Sequence, residues 1–164
     1  MQTQRVVTTF EEELERSGRI VYTNVGVSML PLLREGRDLM VIERCDPAHL
    51  QRYQAVLFTR PGITGRGAYV LHRILKVLPD GRYWIVGDNC MSGEIVAPGQ
   101  ILGVLTAVCR GKKTIDFSGF GYRLYVALWC APYPLRFLIL RVRRFFRRGF
   151  RWLGSKLGRG RKGK

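Results

Sequence analysis

Hydrophobic and polar positions alternate in short runs through the centre of the chain, a pattern typical of strands with one buried face. It predicts strands over 20–24, 39–44, 54–59, 69–78, 82–86, 101–110 and 112–117. After the fourth of these, Pro79-Asp80-Gly81 predicts a tight turn, because proline presets φ and glycine accepts a positive φ. Three glycines and a proline over 61–67 predict a flexible loop. We therefore expect a mainly β domain.

The two ends of the chain have a helical pattern instead. Thr8 or Thr9 could cap a short helix over 9–16, and Gly18 would end it. Over 139–153, apolar residues fall on one helical face and arginines on another, which predicts an amphipathic C-terminal tail. The apolar face comprises Ile139, Val142, Phe146, Phe150 and Leu153. We expect the last seven residues, 158–164, to be disordered.

The mostly apolar stretch 124–140 is 17 residues long, at the lower limit for a membrane span. Pro132, Pro134 and Arg136 argue against an uninterrupted spanning helix there. If it did span, the basic tail would stay in the cytoplasm and the β domain would lie outside. Residues 1–19 are polar and rich in glutamate, so we expect no signal peptide and no apolar anchor ahead of the β domain.

Charge is distributed unevenly in this chain, whose formal net charge is +16. No acidic residue follows Asp116, and the residues after it hold 13 of the 28 lysines and arginines. Such a segment indicates an anionic partner. Its many Leu, Phe and Trp residues favour an anionic membrane surface over nucleic acid, because a segment that bound nucleic acid by charge alone would not need them. Docking onto a partner protein and a merely solvated tail are the alternatives.

The four cysteines, Cys45, Cys90, Cys109 and Cys130, are not at metal-ligand or redox spacing. We expect reduced, partly buried thiols, and no metal or cofactor.

Three short motifs carry candidate catalytic chemistry. Gly26-Val27-Ser28-Met29-Leu30-Pro31 places a serine in a tight loop between two predicted strands. A serine hydroxyl needs a base within hydrogen-bond reach and backbone N–H groups aimed at the developing oxyanion. His72-Arg73 lies in an apolar strand, and Gly87-Asp88-Asn89 follows the hairpin. Each motif alone fits an ordinary turn or core residue, but the three together, in this order and at these separations, are far more specific.

With these motifs, residues 20–108 resemble the type I signal peptidase family and its relatives, the self-cleaving repressor proteases. Ile101-Leu102-Gly103 matches the family's final strand motif, and His72-Arg73 is similar to the endoplasmic-reticulum and archaeal-like subtype with a histidine base. The resemblance implies a coiled antiparallel β-sheet or ribbon. It also implies a serine endopeptidase that cleaves an extended leader or signal-like peptide without a cofactor.

By this resemblance, Ser28 attacks the scissile carbonyl, and His72 takes its proton and returns it to the leaving amine. The orienting acid is either Glu94 or Asp88, with Glu94 favoured and Asp88 assigned to the structural turn. The residues expected around the oxyanion and substrate are Gly26, Met29 and Pro31.

The chain departs from the family in having Gly26 where many members have serine. We also expect no N-terminal anchoring helix and no large second domain. We therefore expect a lead-in over 1–19, a catalytic β domain over 20–118 and a membrane-associating segment over 119–164, at the cytoplasmic face of a membrane. The alternatives are a catalytically inactive membrane-bound adaptor and a regulatory self-cleaving protease.

Overall fold

The computed structural model describes residues 9–64, 68–117 and 119–159. Its elements in chain order are α1 (Phe10–Ser17), β1 (Arg19–Thr23), β2 (Asp38–Glu43), β3 (Ala55–Thr59), β4 (Tyr69–Val77), β5 (Tyr83–Val86), β6 (Gly93–Val96), β7 (Ile101–Arg110), β8 (Lys113–Ile115), α2 (Phe120–Tyr125), a π-helical turn (Val126–Cys130) and α3 (Tyr133–Arg159). A short 3-10 turn, Pro98–Gln100, leads into β7. Part of the predicted 61–67 loop and residues 160–164 of the predicted disordered end lie outside the described residues.

The eight strands form one sheet in the order β1-β2-β7-β3-β4-β5-β6, and β8 pairs with β7. Every pairing is antiparallel. The predicted mainly β fold with a helical C-terminal segment is therefore confirmed. Strand β6 was not predicted, because four residues are too few to show an alternation. Its register is set by pairing with β5, from Tyr83 opposite Val96 to Val86 opposite Gly93.

Helix α1 is bounded by local chemistry that the sequence makes visible. Thr9 is the N-cap: its hydroxyl accepts a hydrogen bond from the Glu12 N–H, and the Glu12 carboxylate accepts one from the Thr9 N–H. Gly18 ends the helix with φ of 73°, a left-handed conformation that glycine adopts without a Cβ clash. The helix buries Leu14 against the sheet, which closes one side of the core.

Two hydrophobic clusters pack against the sheet, one on each face, and alternating side chains of the strands contribute to them. The first includes Leu14, Met29, Leu33, Met40, Ile42, Leu57, Leu71, Leu105 and Val108. The second includes Leu50, Val56, Phe58, Ile74, Tyr83, Ile85, Val96 and Ile101. Successive residues of β3 and β4 thus contribute to different clusters, as the twofold repeat of a strand requires. The sheet consequently has two buried faces in its central strands.

The C-terminal segment begins after β8 and is helical almost throughout. The apolar stretch 124–140 is divided among α2, the π-helical turn and α3, and Pro134 lies in the first turn of α3, where a proline costs no hydrogen bond. In the described part of the chain, no helix has both the length and the apolar character needed to cross a membrane.

Asp38, at the start of β2, is a buried carboxylate that holds the chain between β1 and β2 in place. It accepts hydrogen bonds from the Arg34 N–H at 2.9 Å, from Arg37 Nη2 at 2.7 Å and from Arg110 Nε at 2.9 Å. Burial alone would raise the pKa of Asp38, but these donors hold it well below its usual range. The ionised form therefore stabilises the folded state.

We predict that Asp38→Asn lowers the free energy of unfolding by about 1.5–3 kcal/mol near neutral pH, measured by urea denaturation. Because the folded pKa is depressed, this contribution is present above the unfolded value of about 4 and is lost as the pH falls further. The difference between wild type and variant should therefore shrink at about pH 2. Asp80→Asn, at an exposed pair with Arg82, is the control and should change stability much less. A loss independent of pH would contradict the assignment.

Candidate active site

Ser28 lies in the connection from β1 to β2, in a turn that begins directly at the serine. Two side chains shape the approach to it: Asn24 Nδ2 donates to the Gly26 carbonyl at 3.1 Å, and Glu35 Oε2 accepts from the Gly26 N–H at 3.0 Å. Gly26 has φ of 86°, which favours glycine. The Gly26 N–H is already bound to Glu35, so it is not free to donate to an oxyanion. The candidate donor in this loop is the Ser28 N–H.

The residue after the serine fixes the loop to the core. The Met29 side chain is completely buried and packs in the first cluster with Leu33. The Met29 carbonyl accepts the Leu33 N–H at 2.9 Å. Met29 thus supports the loop from inside, while Pro31, after a cis peptide bond, is exposed at the surface.

His72 lies in the middle of β4, opposite Val56 of β3, and is only 7% exposed. Its ring centroid is 6.2 Å from that of Phe58. A histidine held among apolar neighbours in a central strand has few rotamers available. The sheet therefore fixes the direction of both ring nitrogens.

The serine loop and the histidine meet at Gly87. A Cβ placed on Gly87 would lie 2.8 Å from the Ser28 carbonyl oxygen and 2.9 Å from His72 Nε2. Any larger residue at Gly87 would displace one of the two. His72 Nε2 and the Ser28 carbonyl oxygen therefore both lie beside Gly87, although no Ser28–His72 hydrogen bond is present among the described residues. In unliganded enzymes, catalytic hydrogen bonds are often long or poorly aligned and tighten only when the substrate binds.

Asn89 joins the two motifs directly. Its backbone N–H donates to the Ser28 carbonyl at 2.7 Å, and its side-chain Nδ2 donates to the Val27 carbonyl at 3.0 Å. The Gly87-Asp88-Asn89 turn is thus the support of the serine loop.

Glu94 of β6 lies on the other side of the histidine. Its Oε1 is 3.7 Å from His72 Nδ1, and Nδ1 is buried with no hydrogen-bond partner among the described residues. Arg60 holds the Glu94 carboxylate with two donors, Nε at 2.8 Å and Nη2 on the second oxygen. Glu94 therefore lies on the Nδ1 side of the ring, beyond hydrogen-bond distance, and Nε2 lies beside Gly87. A Ser–His–acid triad places its acid on the Nδ1 side and its serine on the Nε2 side.

Burial lowers the pKa of His72 below its usual value, and the charges around it act in both directions. Glu94 raises the pKa, Arg60 lowers it, and Asp88 raises it more weakly. The imidazole is consequently neutral at physiological pH. A neutral imidazole is the form that can accept a proton from a hydroxyl.

Asp88, the second candidate acid, has a different role. Its carboxylate is completely buried and accepts hydrogen bonds from Arg73 Nε at 2.8 Å and Arg73 Nη2 at 2.7 Å. The Tyr125 hydroxyl donates to the same carboxylate at 2.7 Å. Both oxygens are thus occupied by groups other than the histidine. Of the two candidate acids, the structure places Glu94 beside His72 and Asp88 in a structural cluster.

The C-terminal segment completes this cluster. Trp129 Nε1 donates to the Asp88 carbonyl at 3.1 Å, and Arg136 Nη1 lies 3.6 Å from the Asp88 carboxylate. Arg136 is 1% exposed, and Cys130 is fully buried beside it. The segment that the sequence marks only as apolar and basic therefore packs directly on the turn that supports Ser28. Sequence patterns gave no signal for these contacts, because the partners are separated by at least 37 residues.

Cys90 is a further residue of the site that the sequence did not single out. The Cβ position on Gly87 that lies next to Ser28 and His72 is also 2.8 Å from Cys90 Sγ. Burial raises the pKa of this thiol above its usual value. A thiol in this state is protonated at neutral pH and is a poor nucleophile.

No family model, curated protein or solved structure matches this chain. Within the described residues, no group of histidine, cysteine, aspartate and glutamate side chains could hold a metal ion. The geometry of the site is therefore the basis for assigning its chemistry.

We predict opposite shifts in the pKa of His72 when its two charged neighbours are neutralised one at a time. Glu94→Gln should lower the pKa, because it removes a charge that stabilises the imidazolium and leaves Arg60 uncompensated. Arg60→Gln should raise it. NMR titration of the imidazole protons measures both, and the exposed His49 provides an internal control. Shifts of the same sign in both variants would contradict the geometry.

We predict that Tyr125→Phe lowers the free energy of unfolding by about 1.5–3 kcal/mol, because the buried Asp88 carboxylate loses a donor. Tyr133→Phe, in the same helical segment, is the matched control: its ring packs on Trp84 and no described hydrogen bond involves its hydroxyl. Thermal unfolding followed by circular dichroism measures both. Equal effects of the two substitutions would show that the Asp88 contact contributes nothing specific.

Proposed function

We propose that the protein is a serine endopeptidase of the signal-peptidase type, with Ser28 as nucleophile and His72 as general base. One observation carries this proposal: the buried ring of His72 has Nε2 beside Gly87, where the Ser28 carbonyl also lies, and Nδ1 3.7 Å from Glu94. A histidine with only a packing role in the core needs neither a glycine between its ring and a serine loop nor an acid beside its other nitrogen.

The reaction follows from this arrangement. Ser28 Oγ forms a bond to the scissile carbonyl carbon while His72 Nε2 takes its proton, and the Ser28 N–H donates to the resulting oxyanion. The imidazolium, stabilised by Glu94, then gives the proton to the amine as the peptide bond breaks. Water attacks the acyl-enzyme in the second half, again losing its proton to His72. His72 returns this proton to Ser28 Oγ as the acyl–oxygen bond breaks, which releases the second product and regenerates Ser28.

The substrate that fits best is an extended peptide. In the described part of the fold, strand β1 is at the end of the sheet and pairs only with β2. Its other edge can therefore accept a peptide strand. The chain passes from β1 directly to Ser28, and Val25 and Val27 on this path are 56% and 61% exposed. A leader or signal-like peptide is the substrate class suggested by the resemblance in motifs.

Cys90 is the competing nucleophile at this site, and the geometry favours serine. The thiol lies near His72, but burial raises its pKa although Arg144 and Arg136 act to lower it, and this keeps the thiol protonated. Ser28, in contrast, sits in a loop held by Asn89 and anchored by Met29. The two nucleophiles are separated by substituting each in turn.

We predict that Ser28→Ala reduces proteolysis by at least about a thousandfold, because the acyl-enzyme cannot form. The assay incubates the full chain with detergent-solubilised membranes and soluble extract, and identifies new protein N-termini by peptide mass spectrometry. Cys90→Ala and Ser92→Ala, the latter at an exposed serine of the neighbouring turn, are the controls and should keep the wild-type set of N-termini.

Two outcomes would overturn the proposal. Loss of activity in Cys90→Ala with retention in Ser28→Ala would assign a thiol protease. Identical N-termini for the wild type and the folded Ser28→Ala variant would instead favour a non-catalytic adaptor. Sequences flanking the serine-dependent N-termini would define the substrate class.

A further inference from the structure

Helix α3 carries a continuous apolar row that no other part of the described fold covers. Its members are Leu135, Leu138, Ile139, Val142, Phe145 and Phe146, and they are between 43% and 75% exposed. Their spacing of three and four residues places them along one side of the helix. The opposite side holds Arg136 and Leu140, which are 1% and 4% exposed and pack against the β domain. The row therefore faces away from the domain.

Positive charge borders this row on both sides. Arg141 and Arg143 are exposed and adjacent in sequence to Val142, so they project about 100° to either side of it. Arginines in this position can extend their guanidinium groups alongside an apolar surface while the aliphatic stems cover it. No acidic residue follows Asp116 in the sequence, so nothing on the same segment neutralises these charges.

We propose that this face of α3 lies flat on an anionic phospholipid surface, with the apolar row among the upper acyl chains and the flanking arginines among the headgroups. A lipid surface offers apolar and anionic groups together over the length of a helix. Nucleic acid offers the charge but no apolar layer, and a folded protein partner would need an acidic rim around an apolar groove. The helix lies on the surface rather than crossing it, consistent with its frequent arginines.

The docked helix would hold the rest of the molecule in a defined orientation. Tyr133 and Phe137 at its start pack on Trp84 of β5, with ring centroids at 5.3 and 6.5 Å. Arg136 lies against the buried Asp88 carboxylate. The β domain thus contacts α3 directly, through these aromatic rings and through Arg136. If Ser28 cleaves as proposed, its substrates would be peptides presented at that lipid surface, and this step alone rests on the proposed function.

The test measures binding of the full chain to lipid vesicles by flotation, independently of proteolysis. Vesicles with about 30% phosphatidylglycerol should bind at least tenfold more tightly than pure phosphatidylcholine vesicles. The double variant Leu138→Gln/Phe145→Gln should bind the anionic vesicles at least tenfold more weakly, because two exposed side chains no longer enter the acyl region. Val77→Gln, at a 50% exposed valine of β4, is the matched control and should bind as wild type.

A second variant and a change of salt concentration separate the apolar and electrostatic contributions to vesicle binding. Arg141→Gln/Arg143→Gln should also weaken binding to anionic vesicles but leave binding to neutral ones unchanged. Raising salt from about 0.1 M to about 0.5 M should weaken wild-type binding without abolishing it, since the apolar contact is not screened.

Three results would overturn the proposal. If Leu138→Gln/Phe145→Gln bound vesicles as tightly as the wild type and high salt abolished all binding, charge alone would account for the binding. Displacement of the protein from vesicles by an equal charge of single-stranded RNA would favour nucleic acid. A change of oligomeric state in the Leu138→Gln/Phe145→Gln variant, with unchanged vesicle binding, would show that a second copy covers the row. Circular dichroism spectra of all variants verify that they are folded.

Discussion

The structure depends on one buried ion pair, between Asp88 and Arg73. Arg73 belongs to β4 next to His72, and Asp88 belongs to the turn that supports Ser28, so this pair fixes the histidine strand relative to the serine loop. Both side chains are completely buried, and removing either would leave an uncompensated charge. The same carboxylate receives Tyr125 from the C-terminal segment. The candidate catalytic residues, the turn that supports Ser28 and the helical segment therefore share one anchor.

This anchor divides the work between the two acids near the site. Asp88 is saturated by strong donors and cannot turn towards the histidine, whereas Glu94 lies at the edge of the sheet, is held by Arg60 and faces Nδ1. A single carboxylate could not both stabilise the Gly87-Asp88-Asn89 turn and face His72, because the position that stabilises the turn is enclosed by Arg73 and Tyr125. Strand β6 matters for this reason: although short, it carries Glu94 and places it opposite Ile85.

Much of the fold was accessible from the sequence, because its signals are local. The alternation in β4 and β7, the turn at Pro79-Asp80-Gly81 and the cap at Thr9 depend on neighbouring residues only. The approach of Ser28, His72 and Glu94 could be expected only through resemblance to a family, since no local pattern reports it. The contacts of Tyr125, Arg136 and Cys90 could not be predicted. They arise from the packing of α2 and α3 on the turn, which has no periodic signature.

Arg136 shows what the packing of α3 costs and what it accomplishes. Its Nε, Nη1 and Nη2 are buried without a hydrogen-bond partner among the described residues, and the Asp88 carboxylate, already paired with Arg73, is its nearest described acidic partner at 3.6 Å. An apolar residue would fill the space at lower desolvation cost. The arginine, however, is attracted specifically to the turn that supports Ser28. Hydrophobic packing alone would allow α3 to slide or rotate, whereas a charge facing a buried carboxylate selects one position. The helix can then expose its apolar row on the opposite side without losing its register on the domain.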